Sequence, residues 1–474
     1  MIFCHGLTFA VRTPMRFLTL AAAFCSLYPL KGLALGGAMQ GMEDAMDIQR
    51  EQLERFRDFL GPQVPPPFEK RQSAPTITFS NPAAQKFFVD GNSIPDVNFD
   101  AGPSWSGLMP ISGDPNETRK LFFWFWPTQV AENGDKLLFW TNGGPGCSSL
   151  EGFIQENGPI SWSWGQSEPT PNPFSWTRVA HGLWVEQPVG TGFSQGTPNI
   201  TNDDELAAQL VGFLEQFLDV FSELKGKDFF LTGENVPYIA NFIYEHPGSV
   251  DLNLKANKNV FPFNSSFWAE LQQISDECGY TDYLDKFVTY PPAGQLPFPA
   301  GVIPGTLGQV SANCRSILGF PRDTQKFIYF NRTDVQDAIH APHIEWNDCS
   351  DINVYAGNGR DQSIPSMLSV FPNVIEKSER TVVVHGLADF ILVAEGTRIA
   401  IQNMTWSGKQ GFQTPIEDES FTVKNFGAFG NQHVERGLAY VEFSFSGHMT
   451  PQFVPWAAFN TISYLVGLQD SPSS

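Results

Sequence analysis

The sequence predicts an α/β fold: a largely parallel central sheet, helices between its strands, and an inserted cap. Three observations carry that expectation. Short apolar runs such as Lys136–Trp140, Gly182–Val185, Asp228–Thr232 and Thr381–Val384 end abruptly in polar or glycine-rich turns, as strands buried on both faces do. Helix-like stretches such as Tyr238–Tyr244 fall between them, which is the rhythm of a parallel sheet with crossovers. Between about Lys255 and Lys326 the rhythm stops, and Pro291, Pro292, Pro297, Pro299 and Pro304 mark an insertion.

Taken in order, Leu121–Trp126 and Lys136–Trp140 read as neighbouring strands, the second running into Thr141-Asn142-Gly143-Gly144-Pro145-Gly146. Gly182–Val185 is followed by Glu186-Gln187-Pro188-Val189-Gly190, and Asp228–Thr232 by Gly233-Glu234 and then a helix. Thr381–Val384 and Ala439–Phe445 are two late strands. In such sheets the chemistry gathers where strands end and loops begin. The expected layout is therefore a core over 76–254 and 327–474, with a cap over 255–326.

The N-terminus reads as a targeting segment. Arg12 and Arg16 precede the apolar run Phe17–Leu30, and small residues follow at Gly32, Ala34, Gly36, Gly37 and Ala38. That run suits a signal peptide over 1–37 and is short for a membrane span, an uncleaved anchor being the alternative. Residues 38–75 read as a propeptide or linker, broken by Pro62–Pro67. Asn116, Asn199, Asn264, Asn331 and Asn403 open Asn-X-Ser/Thr sequons, so N-glycans are expected on a secreted or vacuolar protein. No membrane association is expected after signal cleavage. Of six cysteines, Cys4 and Cys25 leave with the signal; Cys147, Cys278, Cys314 and Cys349 remain. Four cysteines in an oxidising compartment allow two disulfides in any of three pairings. No metal-ligand spacing is present, so no metal and no cofactor are expected.

Fifty acidic residues against 29 basic ones give a formal charge of −21. That argues against a nucleic-acid partner, which calls for a basic face. The acidity fits an acidic compartment, and it equally fits plain solubility.

One Gly-X-Ser-X-Gly match exists, Gly192-Phe193-Ser194-Gln195-Gly196. A nucleophile elbow needs a strand directly before it and a helix directly after it. Pro198 and Asn199 follow instead, so this reads as a glycine-rich surface turn. Asp389, just past Thr381–Val384, and His448, just past the strand at Ala439–Phe445, are better placed. A triad needs an acid to fix the tautomer of the histidine that moves the proton. Acid before histidine is also the chain order of α/β-hydrolases.

The stretches Asn142-Gly143-Gly144-Pro145-Gly146-Cys147-Ser148-Ser149 and Trp184-Val185-Glu186-Gln187-Pro188-Val189-Gly190-Thr191-Gly192-Phe193-Ser194, with Gly386–Leu392 and Gly447-His448-Met449, resemble the serine carboxypeptidase family, particularly its fungal members. The resemblance runs from about Phe88 to Leu465 and implies an α/β-hydrolase fold that removes C-terminal residues from peptides. It implies Asp389 and His448 as triad acid and base, and the Gly144 N–H as an oxyanion donor. It implies Asn142, Glu156 and Glu234 as holders of the substrate's free C-terminal carboxylate, one of the crowded acids being protonated. It implies the disulfides Cys147–Cys349 and Cys278–Cys314, the second within the cap, and a structural role for Ser194.

The resemblance breaks twice. The family's nucleophile lies in a Gly-Glu-Ser-Tyr-Ala-Gly turn, whereas this chain reads Gly233-Glu234-Asn235-Val236-Pro237-Tyr238. After Leu252-Asn253-Leu254-Lys255, a further core strand and part of the cap are missing, and Asn257–Asn264 resembles a much later family segment. A sheet without that strand is expected to face an unfilled slot with unpaired backbone groups. Two clean losses with good matches on both sides point to skipped coding segments of an active enzyme. As written, the chain is expected not to hydrolyse peptides. The alternatives are a non-catalytic secreted peptide binder and an acyltransferase on the same scaffold, which also needs the serine.

Overall fold

A computed structural model describes residues 77–162, 168–260, 329–350, 353–356, 361–389, 392, 394–416, 419–424, 426–444 and 446–474, all within one compact unit, Gln52–Ser474. The expected signal and propeptide segments, the cap beyond Val260, the Asn264 sequon and the pair Cys278–Cys314 lie outside the described residues.

Among the described residues, eleven strands form the main sheet. The first five are β1 (Phe88–Val89), β2 (Ser104–Pro110), β3 (Lys120–Trp126), β4 (Lys136–Thr141) and β5 (His181–Glu186). Next come β6 (Asp228–Gly233), β7 (Asn253–Val260) and β8 (Arg380–Gly386). The last three are β9 (Ser420–Val423), β10 (Gly427–Glu435) and β11 (Leu438–Phe443). Their spatial order is β1-β2-β3-β5-β4-β6-β7-β8-β11-β10-β9. The six central strands from β5 to β11 are mutually parallel, and antiparallel strands close both sides.

Two expectations about the strands need correcting. β3 and β4 are not neighbours: β5 lies between them, antiparallel to β3 and parallel to β4. Chain order alone does not reveal a strand inserted later. The unfilled slot is also absent. β7 crosses the second break and pairs with β6, from Asp228↔Asn253 to Thr232↔Lys258. On its other side it pairs with β8, from Arg380↔Ala256 to Val384↔Val260. Ladder hydrogen bonds use only main-chain groups, so a polar stretch can fill the gap and satisfy both neighbours. The expected boundary at 254/255 therefore falls inside a core strand.

Alternate residues of the strands feed two cores, as a period of two requires. Phe123, Phe125, Leu137 and Phe139 pack on one face with Leu210, Phe213 and Phe217 of helix α1 (Asp203–Val220). Phe122, Trp124, Trp126, Leu138 and Trp140 pack on the other with Phe153 and Trp456. Helix α1 starts where Asn202 accepts a hydrogen bond from the Glu205 N–H, and Asp203, Asp204 and Glu205 oppose its N-terminal dipole. Helix α2 (Val236–Glu245) follows β6 after only Glu234 and Asn235, with Pro237 in its first turn.

Candidate active site

Because β4, β6, β8 and β11 are parallel, the segments leaving their C-terminal ends meet on one edge of the sheet. Those segments carry Asn142–Cys147, Glu234, Asp389 and His448. The loops after β8 and β11 are knitted together: Leu387 N donates to Phe443 O at 2.8 Å, and Ala388 N to Ser446 O at 2.7 Å. Asp389 is fully buried. Its Oδ2 faces His448 Nδ1 at 2.8 Å and its Oδ1 accepts from the Leu392 N–H at 3.1 Å. Such a carboxylate holds the imidazole in one orientation and favours its charged form.

The other imidazole nitrogen meets a carboxylate, not a hydroxyl. His448 Nε2 lies 3.2 Å from Glu234 Oε1, and the Gly144 N–H donates to Glu234 Oε2, also at 3.2 Å. Gly144 adopts φ +114°, which turns its N–H toward the site at little cost to a residue without Cβ. A Cβ on Gly143 would collide with the Glu234 carboxyl, so this close approach needs glycine there too.

Charge follows from that geometry. Burial opposes protonation of His448, but the hydrogen bonds and charges of Asp389 and Glu234 outweigh it and push the imidazole up to about 11. Burial would raise Glu234, yet its hydrogen bond to His448, the imidazolium charge and the Gly144 N–H together hold it below the usual carboxylate range. Glu234 is therefore an ionised member of the crowded acids. A raised carboxyl beside the site is Glu151, pushed to about 7 by burial and by Asp348, with His448 opposing and Glu234 adding to the shift. Glu151, which sequence reasoning missed, sits in the short helix Ser149–Gly152. No spacing signal distinguishes it from any other acid at a helix start.

The remaining candidates are placed as follows. Asn142 Oδ1 accepts from Trp140 Nε1 at 2.6 Å, and the Asn142 N–H donates to Ser149 Oγ at 3.1 Å. Glu156 is buried in the helical stretch Phe153–Asn157. Asn235, next after Glu234, donates from Nδ2 to Asp203 Oδ2 at 3.1 Å at the start of α1. Ser194 is buried, not on a surface turn. Its Oγ donates to Glu186 O at 2.5 Å and accepts from the Phe122 N–H at 2.8 Å, so it pins the β5 loop to β3.

The Asn142–Cys147 loop is braced from below. Cys147 and Cys349 form a disulfide, Ser148 N donates to Asp348 O at 2.6 Å, and Ser350 N to Gly146 O at 2.8 Å. Glu186, buried at the end of β5, receives the Ser148 hydroxyl, the Phe193 N–H at 2.6 Å and Trp346 Nε1 at 3.2 Å. Burial nevertheless pushes it to about 7. Among the described residues no group of acids, histidines and cysteines could hold a metal.

Comparison with known proteins gives one consistent result. The profile described as serine carboxypeptidase matches residues 95–258 and 311–467. An Arthroderma benhamiae protein named "Probable serine carboxypeptidase" is 38% identical over 484 residues, covering 86% of this chain and 90% of its own. Serine-type carboxypeptidase F of Aspergillus niger is 35% identical over 462 residues, covering 80% and 86%. The first alignment is longer than this whole 474-residue chain while covering 86% of it, so that relative carries stretches this chain lacks. In structure, the prohormone-processing carboxypeptidase Kex1(delta)p of Saccharomyces cerevisiae superposes with a TM-score of 0.63 at 20% identity, covering 81% of this chain and 96% of its own. That likeness concerns the fold.

Proposed function

The chain belongs to the serine carboxypeptidase family, and from that premise we propose that it is a form of a C-terminal exopeptidase that cannot acylate. The family reaction needs a hydroxyl on His448 Nε2, a base to take its proton, and N–H donors for the oxyanion. Here the Nε2 partner is the Glu234 carboxylate at 3.2 Å, and that observation carries the reading. An imidazolium held between two carboxylates has no lone pair with which to accept a proton. The Gly144 N–H, the proposed oxyanion donor, is occupied by the same carboxylate.

In this reading Asp389 and His448 are the acid and base of the ancestral triad. Asn142, Glu156 and Glu234 line the region that receives a peptide's C-terminal carboxylate. The test is a fluorophosphonate probe together with release of the terminal residue from an N-blocked dipeptide. Neither labelling nor release is expected, and labelling at Ser194 or elsewhere overturns the reading.

A second reading, that segments were skipped from an active enzyme, is favoured by the alignment that outruns the chain while covering only part of it. Sequencing of the transcript separates the two: reads running unbroken across codons 234 to 236 and 254 to 258 remove the second.

Placement in the secretory pathway, secreted or vacuolar, is supported by the apolar run Phe17–Leu30 behind Arg12 and Arg16 and by the five sequons. We place the core at 76–260 and 327–474, with the cap between. Of the proposed N-glycan sites, Asn116, Asn199 and Asn403 are exposed. At Asn331 both ends of the amide bond the Trp346 main chain, at 2.5 and 3.0 Å, so this one is expected to stay bare.

A further inference from the structure

Between β6 and α2 the chain has only Glu234 and Asn235. A strand-to-helix turn of this kind is what lifts a nucleophile above an α/β sheet. The turn is tight: Gly233 has φ +127°, and a Cβ there would lie 2.0 Å from Thr141 O of β4. Glu234 Oε1 faces His448 Nε2 at 3.2 Å, and Asp389 holds the other ring nitrogen at 2.8 Å. The Gly144 N–H donates to Glu234 Oε2 at 3.2 Å. An acid, a histidine, a main-chain donor and an oxygen on the histidine are therefore all in place, the oxygen belonging to a carboxylate. The Glu234 and His448 side chains are 29% and 28% exposed, so a small solute reaches both.

A carboxylate attacks other electrophiles than a serine does. At an amide carbonyl it would form an anhydride, less stable than the amide it replaces, so peptide cleavage stays closed. At a strained saturated carbon it forms an ordinary ester. The cation beside Glu234 narrows the choice among such substrates. An opening epoxide leaves an alkoxide, which needs a proton, and the His448 Nε2–H can give one. A departing halide takes no proton and would leave the imidazolium unable to act as a base afterwards.

We propose that Glu234 is the nucleophile, and His448 first the acid and then the base, of a site that hydrolyses epoxides. This goes beyond the proposed function and concerns neutral substrates, which bring no carboxylate against Glu234. In the first step Glu234 Oε1 bonds to an epoxide carbon, the bond from that carbon to the ring oxygen breaks, and the alkoxide takes the Nε2 proton. The products are a hydroxyalkyl ester on Glu234 and a neutral imidazole. Esterification also removes one of the two anions that hold the proton on His448, so the ring is free to act as a base. In the second step it takes a proton from water as the water oxygen bonds to the ester carbonyl carbon, with the Gly144 N–H facing the oxyanion. Collapse breaks the bond between that carbon and the alkyl oxygen, and the departing alkoxide takes the proton of the carboxyl group so formed. One water is consumed and a diol released, with Glu234 ionised and His448 protonated as at the start. One carboxyl oxygen leaves in the diol, and a water oxygen replaces it.

The experiment follows that oxygen. The full wild-type chain, in excess over phenyl glycidyl ether, is allowed one turnover in heavy-oxygen water, and the diol and the peptide containing Glu234 are weighed by mass spectrometry. The diol should be unlabelled and Glu234 should carry the heavy oxygen. A labelled diol with Glu234 unlabelled means direct attack by water and overturns the nucleophile; absence of both diol and adduct overturns the activity. His448→Gln should slow release of the diol at least ~100-fold and accumulate the ester on Glu234. An adduct on any other residue, or none, overturns the assignment. Glu234→Gln should form no ester, and undiminished turnover in it overturns the proposal. The isotope measurement needs no variant, so it decides the matter even where a substituted chain fails to fold. Fluorophosphonate labelling tests the proposed function alone, because that reagent reports a hydroxyl nucleophile and not Glu234.

Discussion

Glu234 Oε1 lies 3.2 Å from His448 Nε2, while the other ring nitrogen, Nδ1, makes the 2.8 Å contact with Asp389. The histidine is thus a cation bridging two anions.

The first prediction concerns that cation. With the imidazole pushed to about 11, His448 should keep both ring protons throughout the neutral range. Nitrogen-detected NMR of the side chain should show no titration below pH 8 in the wild type. Glu234→Gln removes one of the two anions and should bring the titration down toward neutrality. A wild-type midpoint near 6.5 would show that Glu234 does not engage the ring.

The second concerns Asn235. It is the residue next after Glu234, and its side chain is tied to Asp203 at 3.1 Å. Asn235→Ser should therefore stay inert toward a fluorophosphonate. It should also lose about 1 kcal/mol of stability, because Asp203 forfeits a buried donor. Labelling of Asn235→Ser would mean that this position faces His448.

The third concerns stability and pH. Glu151, Glu186 and Asp203 are each raised to about 7, chiefly by burial. A carboxyl whose folded value lies above its unfolded value holds its proton more tightly when folded, so stability falls as pH rises from about 4.5 through 7. His448 adds stability that is complete below 6.5 and lost as pH climbs through about 11. Against these, Glu117, held at about 2 by Arg119, and Glu435, held at about 2 by Arg436 and the Gln413 N–H against burial, contribute above 4.5 and lose their effect as pH falls to 2. Tm should therefore peak on the acid side, near pH 4.5 to 5, and decline toward pH 8. A maximum at or above pH 7 would contradict this.

The fourth concerns Glu186. Its carboxyl collects the Ser148 hydroxyl, the Phe193 N–H and Trp346 Nε1 in a fully buried setting. Glu186→Ala strands these donors at about 1–3 kcal/mol each. It should lower Tm sharply and loosen the Asn142–Cys147 loop, read as faster amide exchange at Gly144. Glu186→Gln, which can still accept, should cost less than half as much.

Much of this was legible in the chain because burial on both faces writes strands as unbroken apolar runs, as at Leu121–Trp126 and Lys136–Trp140. What those runs do not encode is who sits beside whom. The insertion of β5 between β3 and β4 is a tertiary outcome. β7 was illegible for another reason: Asn253-Leu254-Lys255-Ala256-Asn257-Lys258-Asn259-Val260 has little strand propensity, and its conformation is set by the two ladders on either side. At the site, Asp389 and His448 could be suspected because each follows a readable strand. The contact of Glu234 with His448 could not, since it depends on the space left by Gly143 and on the turn of Gly144.

The Cys147–Cys349 bond spans 202 residues, and both breaks in the family pattern fall within that span. A protease that nicks the chain anywhere between these cysteines leaves one molecule, not two. Such a product should run as a single band on a non-reducing gel and fall into fragments only with a thiol present. Cleavage within the covalent ring could therefore pass unnoticed in any preparation that is never reduced.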